Sequence, residues 1–152
     1  MTPEELLSYL RAQPLAVESS VCGSGAPQAA IVGVAVTDRF ELVFDTVATS
    51  RKHQNLARDP RIALVIGWDQ ERTVQLQGVA DQPRGHDLSR VQSAYFARFP
   101  DGPSRLSWPG IAYWRVRPEW IRYSDFNTNP PTILEWDRAT ICGWSAQNVT
   151  GH

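Results

Sequence analysis

The stretch Asp45–Trp68, DTVATSRKHQNLARDPRIALVIGW, decides the fold. It reads as a strand end at Asp45 and Thr46, a polar loop over 47–49, a helix opening at Ser50, an Asp59-Pro60 turn, and an apolar strand from Arg61. Ser50 is a good N-cap residue, because its hydroxyl can accept one of the backbone N–H groups that a first helical turn leaves unpaired. Arg51 and Lys52 then put two positive charges where the helix dipole is already positive, which costs roughly 0.3–1 kcal/mol per cation unless an anion answers it. A phosphate group there would meet backbone N–H groups, the Ser50 hydroxyl, a guanidinium fork and an ammonium. The alternative is an exposed helix with ordinary surface charge, and the order of the surrounding elements weighs against it.

With 152 residues the chain is long enough for one core and is expected to form a single domain over 1–152. Its formal charge of −1 argues against a bulk electrostatic partner such as duplex DNA or an anionic membrane surface, which would need a basic face. Cys22 and Cys142 have no metal-type spacing, and His53, His86 and His152 lie far apart, so no metal site is expected. The N-terminus has no apolar leader and no run approaches membrane-spanning length. A soluble protein of a reducing compartment, the cytoplasm, is the expectation.

Upstream of the deciding stretch, Thr2-Pro3-Glu4-Glu5 is a capping box with Pro at the first helical position, ahead of Leu6, Leu7 and Leu10. Leu15–Val21 reads as a first strand and Gln28–Val36 as a second, parted by the turn cluster 22–27. In the third strand Phe40, Leu42 and Phe44 alternate with Glu41, Val43 and Asp45, which predicts one packed face and one wetter face. Downstream, Arg61–Trp68 is a nearly continuous apolar strand. In the fifth strand, Arg72–Ala80, Thr73, Gln75 and Gln77 share a face while Val74, Leu76 and Val79 mark the core side. That polar row is either an exposed sheet face or an amide and hydroxyl ladder along a heteroaromatic ligand. A helix over His86–Phe99 and two strands, Ile111–Val116 and Glu119–Tyr123, broken by Pro118, complete the pattern. The tail, 127–152, is interrupted by prolines, and its Trp136 and Trp144 can cover a barrel end or pack on a second subunit.

Short antiparallel strands, two helices between them and no βαβ alternation predict a mainly β fold: a six-stranded antiparallel split β-barrel of Greek-key type with a few short helices. No internal repeat is present. Ser145, Asp137 and His152 could be strung into a hydrolase triad, but neither their spacing nor their context supports one, and no catalytic side chain is assigned.

The order of two strands, T-x-x-x-SRK, N-x-x-x-DPR, an apolar strand ending in Trp, and then ER-x-V-x-x-x-G resembles the pyridoxamine 5′-phosphate oxidase family and its FMN-binding split-barrel relatives. The resemblance covers 25–68 without a gap and resumes at Trp114–Tyr123. It implies a homodimer of split barrels with FMN at the subunit interface. Carried onto this chain, it places Asp45 and Thr46 beside the flavin phosphate, Ser50, Arg51 and Lys52 on the phosphate itself, and the backbone of Ala30, Ile31 and Val32 along the flavin ring. Thr73 stands where relatives carry a Gln that reaches the pyrimidine edge, and Gln75, on the same face, is expected to take over part of that hydrogen bonding. The two second-strand positions that hold basic residues in true oxidases are Ala30 and Ala35 here. The family's Tyr is kept as Tyr95, its basic partner is replaced by Phe99, and the C-terminal Arg-x-His is missing.

A bound flavin carries the redox chemistry itself, so the absence of a triad is consistent with an enzyme. The resemblance therefore implies an FMN-dependent oxidoreductase acting on a small substrate less anionic than pyridoxamine 5′-phosphate. The alternatives are a non-catalytic flavin, haem or stress protein, a deazaflavin-dependent reductase of the same fold, and a nucleic-acid-binding barrel, the last opposed by the weak positive charge.

Overall fold

The computed structural model describes residues 1–150, the last five by backbone alone. The elements are α1 (Pro3–Arg11), β1 (Leu15–Val21), β2 (Pro27–Gly33), β3 (Ala35–Val36), β4 (Leu42–Val47), α2 (Arg51–Arg58), β5 (Arg61–Ile66), β6 (Arg72–Asp81), α3 (Gly85–Arg98), a 3₁₀ turn (Gly102–Arg105), β7 (Ile111–Asp125), β8 (Thr132–Asp137) and α4 (Arg138–Thr150). One antiparallel sheet runs β2-β1-β5-β6-β7-β4-β3, and β8 pairs with β7. The fold is mainly β, a curled split barrel with four short helices, and its strands number eight where six are read from the sequence.

Two of the extra strands come from places where sequence pattern underdetermines pairing. The run expected as one second strand divides at Val34. Up to Gly33 it pairs with β1, and from Ala35 it pairs with β4. The Val34 N–H donates to the Pro14 carbonyl at 3.1 Å, so the chain changes partner without leaving a buried amide unpaired. The two ends of the sheet are thus successive pieces of one segment, which is how the barrel closes. The tail supplies the other: Thr132–Asp137 pairs along 120–125, and Trp136 and Trp144 stack edge to face, with Trp144 tilted onto Phe40. Both indoles lie against the main core, so they cover a barrel end.

The expected break at Pro118 is absent. Ile111–Asp125 is one strand, and the register against β6 shifts by a residue where Gly78 meets Pro118. A proline has no N–H to give a ladder, and a bulge is where that loss is tolerated. A Cβ at Gly78 would lie 2.3 Å from the Arg117 carbonyl oxygen, so only glycine fits this crossing. On β6 the inward set is Val74, Leu76, Gly78 and Ala80, and Val79, read as a core residue, is only half-buried.

The main core gathers Leu6, Leu10, Leu42, Phe44, Leu64, Ile66, Leu76, Trp114 and Ile121, each fully burying roughly 1.5–3 kcal/mol of apolar side chain. Phe40 joins it from a left-handed turn residue, φ 59°, held by Thr37, whose hydroxyl oxygen accepts from the Arg39 and Glu41 N–H groups. The other face of β4 is drier than its sequence suggests. Val43 packs with Ala35, Val91, Tyr95 and Tyr113 under α3, and Glu41 is buried in a paired cluster. Arg90 grips Glu41 with two bonds (2.6 and 3.0 Å), and Arg115, 4% exposed, bridges Glu41 (3.3 Å) and Asp81 (2.6 Å). Among the described residues no helix is long and apolar enough to cross a membrane.

Candidate functional site

The site is built at the junction of β4 and α2. Ser50 is the N-cap of α2 in extended conformation, and its Oγ accepts from the His53 N–H at 3.2 Å. Thr46, the inward residue at the end of β4, donates its hydroxyl to Ser50 Oγ at 2.9 Å, and Lys52 Nζ approaches Thr46 Oγ1 at 3.5 Å. Thr46, Ser50 and Lys52 therefore form one polar cluster. Arg51 is exposed, has no acidic neighbour in the first turn and makes no ion pair among the described residues. Neither cation makes an ion pair among the described residues, at a helix end that is already positive.

Asn55 fixes the helix in place. Buried at the β1–β2 end of the barrel, it donates to Ser20 Oγ (3.1 Å) and Gln28 Oε1 (2.9 Å). The DPR segment that follows is a local clamp: Asp59 accepts from the Arg61 backbone N–H and from its guanidinium, the shortest contact being 2.6 Å. Those hydrogen bonds hold the Asp59 carboxyl down to about 2. So the motif's Asn anchors α2 to β1 and β2, and its Asp and Arg set the turn into β5.

The other residues expected at the site are distributed less simply. On β2, Ala30 and Val32 point inward, while Ile31 points outward and is 65% exposed. Thr73 and Gln75 lie on the outer face of β6. Register places Gln75 in the same cross-sheet row as Val65, Val17 and Ile31, three strand spacings or about 14 Å from Ile31. One chain does not bring Thr73 and Gln75 to Ser50. Asp45 faces away from Thr46, toward α3, where its carboxylate accepts from the Tyr95 hydroxyl (2.9 Å) and Arg105 Nε (2.8 Å). Burial, with the Asp45 charge beside it, pushes the Tyr95 phenol well above its ordinary value.

Two residues at the site carry no motif. His53 Nδ1 accepts from Trp114 Nε1 at 3.1 Å, so an indole in the core orients this imidazole. Glu18 is an inward residue of β1, 1% exposed, and its Oε2 has no hydrogen-bond partner. Its signal in the sequence is an acid inside LAVESSV, but parity misleads there: Val17 faces out while Ala16, Glu18 and Ser20 face in. Of the disfavoured triad, Ser145 donates to the Arg39 carbonyl, Asp137 accepts from Thr140, and His152 lies outside the described residues.

Against this geometry, the sequence profile described as pyridoxamine 5′-phosphate oxidase matches residues 2–125, most of the chain. The chain belongs to the pyridoxamine 5′-phosphate oxidase family. A pyridoxine/pyridoxamine 5′-phosphate oxidase of Cupriavidus necator is 32% identical over 127 residues, covering 78% of this chain and 58% of that protein. The chain spans about half the length of the curated relatives it matches. Among solved structures, a haem-binding protein from Mycobacterium smegmatis superposes with a TM-score of 0.79 at 17% identity, over 94% of this chain and 61% of that one. A pyridoxamine 5′-phosphate oxidase-related, FMN-binding protein from Nostoc punctiforme gives 0.68 at 12% identity, over 90% and 91%. At such identities these likenesses establish the family's split-barrel fold in this chain.

Proposed function

We propose that this family member binds FMN, with its phosphate at the start of α2, and works as a flavin-dependent oxidoreductase on a small substrate less anionic than pyridoxamine 5′-phosphate. The observation that carries the reading is the pair Arg51 and Lys52 on a helical first turn, neither in an ion pair among the described residues, beside the Thr46–Ser50 hydroxyl pair. The backbone N–H groups of the first turn, the Ser50 hydroxyl and the two cations would hold the phosphate, and the backbone of Ala30–Val32 would run along the ring. When bound, the flavin supplies the electron-transfer chemistry, and the chain's residues orient and shield it.

The substrate reading rests on what stands around Ala35. The cleft there, about 280 Å³, is floored by Val34, Ala35, Val36, Ala94 and Ala97, with Arg98 at its rim, and its other guanidinium, Arg11, is committed to the Val36 carbonyl and Asp38. An apolar floor favours a neutral or weakly anionic molecule.

The outer sheet face supports reading the protein as a homodimer. Ile31, Val17 and Val65 form one apolar row, Ile31 at 65% and Val65 at 38% exposure, with Leu15 beside it at 41%. A second copy covering this face would also supply the Thr73 and Gln75 side chains that one chain leaves remote from α2. The two cysteines are free, which suits the reducing cytoplasm.

Haem is the rival group, and His53 is the residue that bears on it. While Nδ1 accepts from Trp114, the imidazole proton sits on Nε2, which leaves no lone pair there for iron. The test is mass spectrometry of the chromophore released from purified protein, with visible absorbance before release. FMN is expected. A haem or deazaflavin mass, or an apoprotein that takes up no FMN, would overturn the reading.

A further inference from the structure

We propose that Glu18 couples the phosphate site to pH: occupation of the site by a dianionic phosphate group draws Lys52 away from Glu18 and binds a proton at the Glu18 carboxyl. This inference rests on the FMN reading above. Geometry places the two groups together. The Asn55–Ser20 hydrogen bond at 3.1 Å fixes one face of α2 on the inward face of β1. Lys52 lies three residues before Asn55 on that helix face, and Glu18 lies two residues before Ser20 on that strand face. Lys52 is the cation whose charge acts on Glu18, while its Nζ also reaches toward Thr46 Oγ1 at the phosphate site.

The surroundings of Glu18 make it sensitive to that charge. Its strand partners are Ala30 on β2 and Leu64 on β5, which offer no charge and no side-chain donor. Of the remaining basic groups on α2, Arg51 is exposed, His53 is turned to Trp114, and Arg58 is turned to the Val21 carbonyl and Asn55. Oε2 is fully enclosed and unpartnered. Burial raises the Glu18 carboxyl above its ordinary range, and Lys52 and then Ser20 oppose that rise. A phosphate dianion shares the Lys52 charge, so the opposition weakens and the carboxyl takes up a proton more readily. Binding and protonation then assist each other by linkage. Affinity for the phosphate-bearing ligand falls as pH rises through the Glu18 titration, by at most about tenfold per pH unit for one coupled proton.

The experiment measures FMN and riboflavin binding to the apoprotein over a pH series, in wild type and E18Q. Calorimetry of the wild type in two buffers of different ionisation enthalpy counts the protons taken up, and needs no variant to fold. The expected result is net proton uptake with FMN and none with riboflavin, together with an FMN affinity that declines more steeply with pH in wild type than in E18Q. The phosphate's own titration, near pH 6, is common to both proteins and cancels in that comparison. FMN binding with no proton uptake at a pH about two units above the phosphate's own titration, where the free phosphate is already dianionic, or with parallel pH profiles in the two proteins, would overturn the coupling and leave the FMN reading intact. Absence of FMN binding at every pH would overturn both.

Discussion

The Tyr95 hydroxyl lies 2.9 Å from Asp45 Oδ1 and 3.1 Å from Arg105 Nη2, so it donates to the carboxylate and accepts from the guanidinium. This side chain stands where the family keeps a substrate-facing tyrosine, and here its proton is committed within the chain. With alanine at positions 30 and 35 and Phe99 packed on Gly33, the cations that would grip a second phosphate are missing. Pyridoxamine 5′-phosphate is therefore expected to be a poor substrate. Loss of two or three charge-assisted contacts costs several kcal/mol, or about a thousandfold in kcat/KM. Steady-state peroxide release by FMN-loaded protein checks this, and a value near 10⁴ M⁻¹s⁻¹, roughly that of an ordinary enzyme, would contradict it.

Replacing Arg51 and Lys52 together with Ala should weaken FMN binding by one or more orders of magnitude, since each charge-assisted contact contributes about 1.5–3 kcal/mol. Fluorescence titration of the apoprotein is the measurement. Riboflavin, which lacks the phosphate, should bind the double variant and the wild type alike. Equal FMN affinity in both proteins would remove the phosphate from α2.

Sedimentation equilibrium at micromolar concentration should return a species of twice the 17.0 kDa chain mass. Ile31→Asp puts a charge at the most exposed end of the Ile31–Val17–Val65 row and should shift the population to monomer, with weaker flavin binding as a consequence. A wild-type monomer that holds FMN would exclude the dimer.

Glu41 should carry much of the acid sensitivity of the fold. Burial raises its carboxyl, but the hydrogen bonds from Arg90 and Thr37 and the charges of Arg90 and Arg115 outweigh that and leave it below the ordinary value of 4.5. A depressed carboxyl contributes stability that is present above pH 4.5 and lost as pH falls through the folded value. Glu41→Gln leaves Arg90 and Arg115 short of a buried counter-charge and should cost about 3–5 kcal/mol at neutral pH, read from urea unfolding. The wild-type advantage should shrink as the pH is lowered below that value.

Glu18 has the opposite sign. Its carboxyl is raised by burial, so the native state is favoured while the group is protonated and loses stability as pH rises through the folded value. Glu18→Gln, which removes the titration and keeps the shape, should remove that decline, which begins as pH rises above the ordinary value of 4.5. Identical pH dependence of the thermal midpoint in the two proteins, followed upward from the ordinary value of 4.5, would contradict this.

What the sequence alone determined is what depends on neighbours along the chain. The Thr2–Glu5 capping box, the Ser50 cap and the two cations after it involve residues within three positions, and each formed as read. The family resemblance was legible for the same reason, because the T-x-x-x-SRK and N-x-x-x-DPR motifs that carry it are short local strings. The tertiary structure decided everything that depends on which strand lies opposite. Val34 parts two strands because the chain changes partner there, and no periodicity records a change of partner. Pro118 sits inside a continuous strand because Gly78, forty positions away, leaves room for the bulge. On β1 the barrel sets Val17 outward and Glu18 inward, since an apolar side chain can face outward where a row of others joins it. Asp45 turns from Thr46 to Tyr95 and Arg105 because those groups arrive from α3 and the turn after it, fifty and sixty residues on. Burial and charge pairing are properties of the assembled space, and only the closed sheet assigns them to residues.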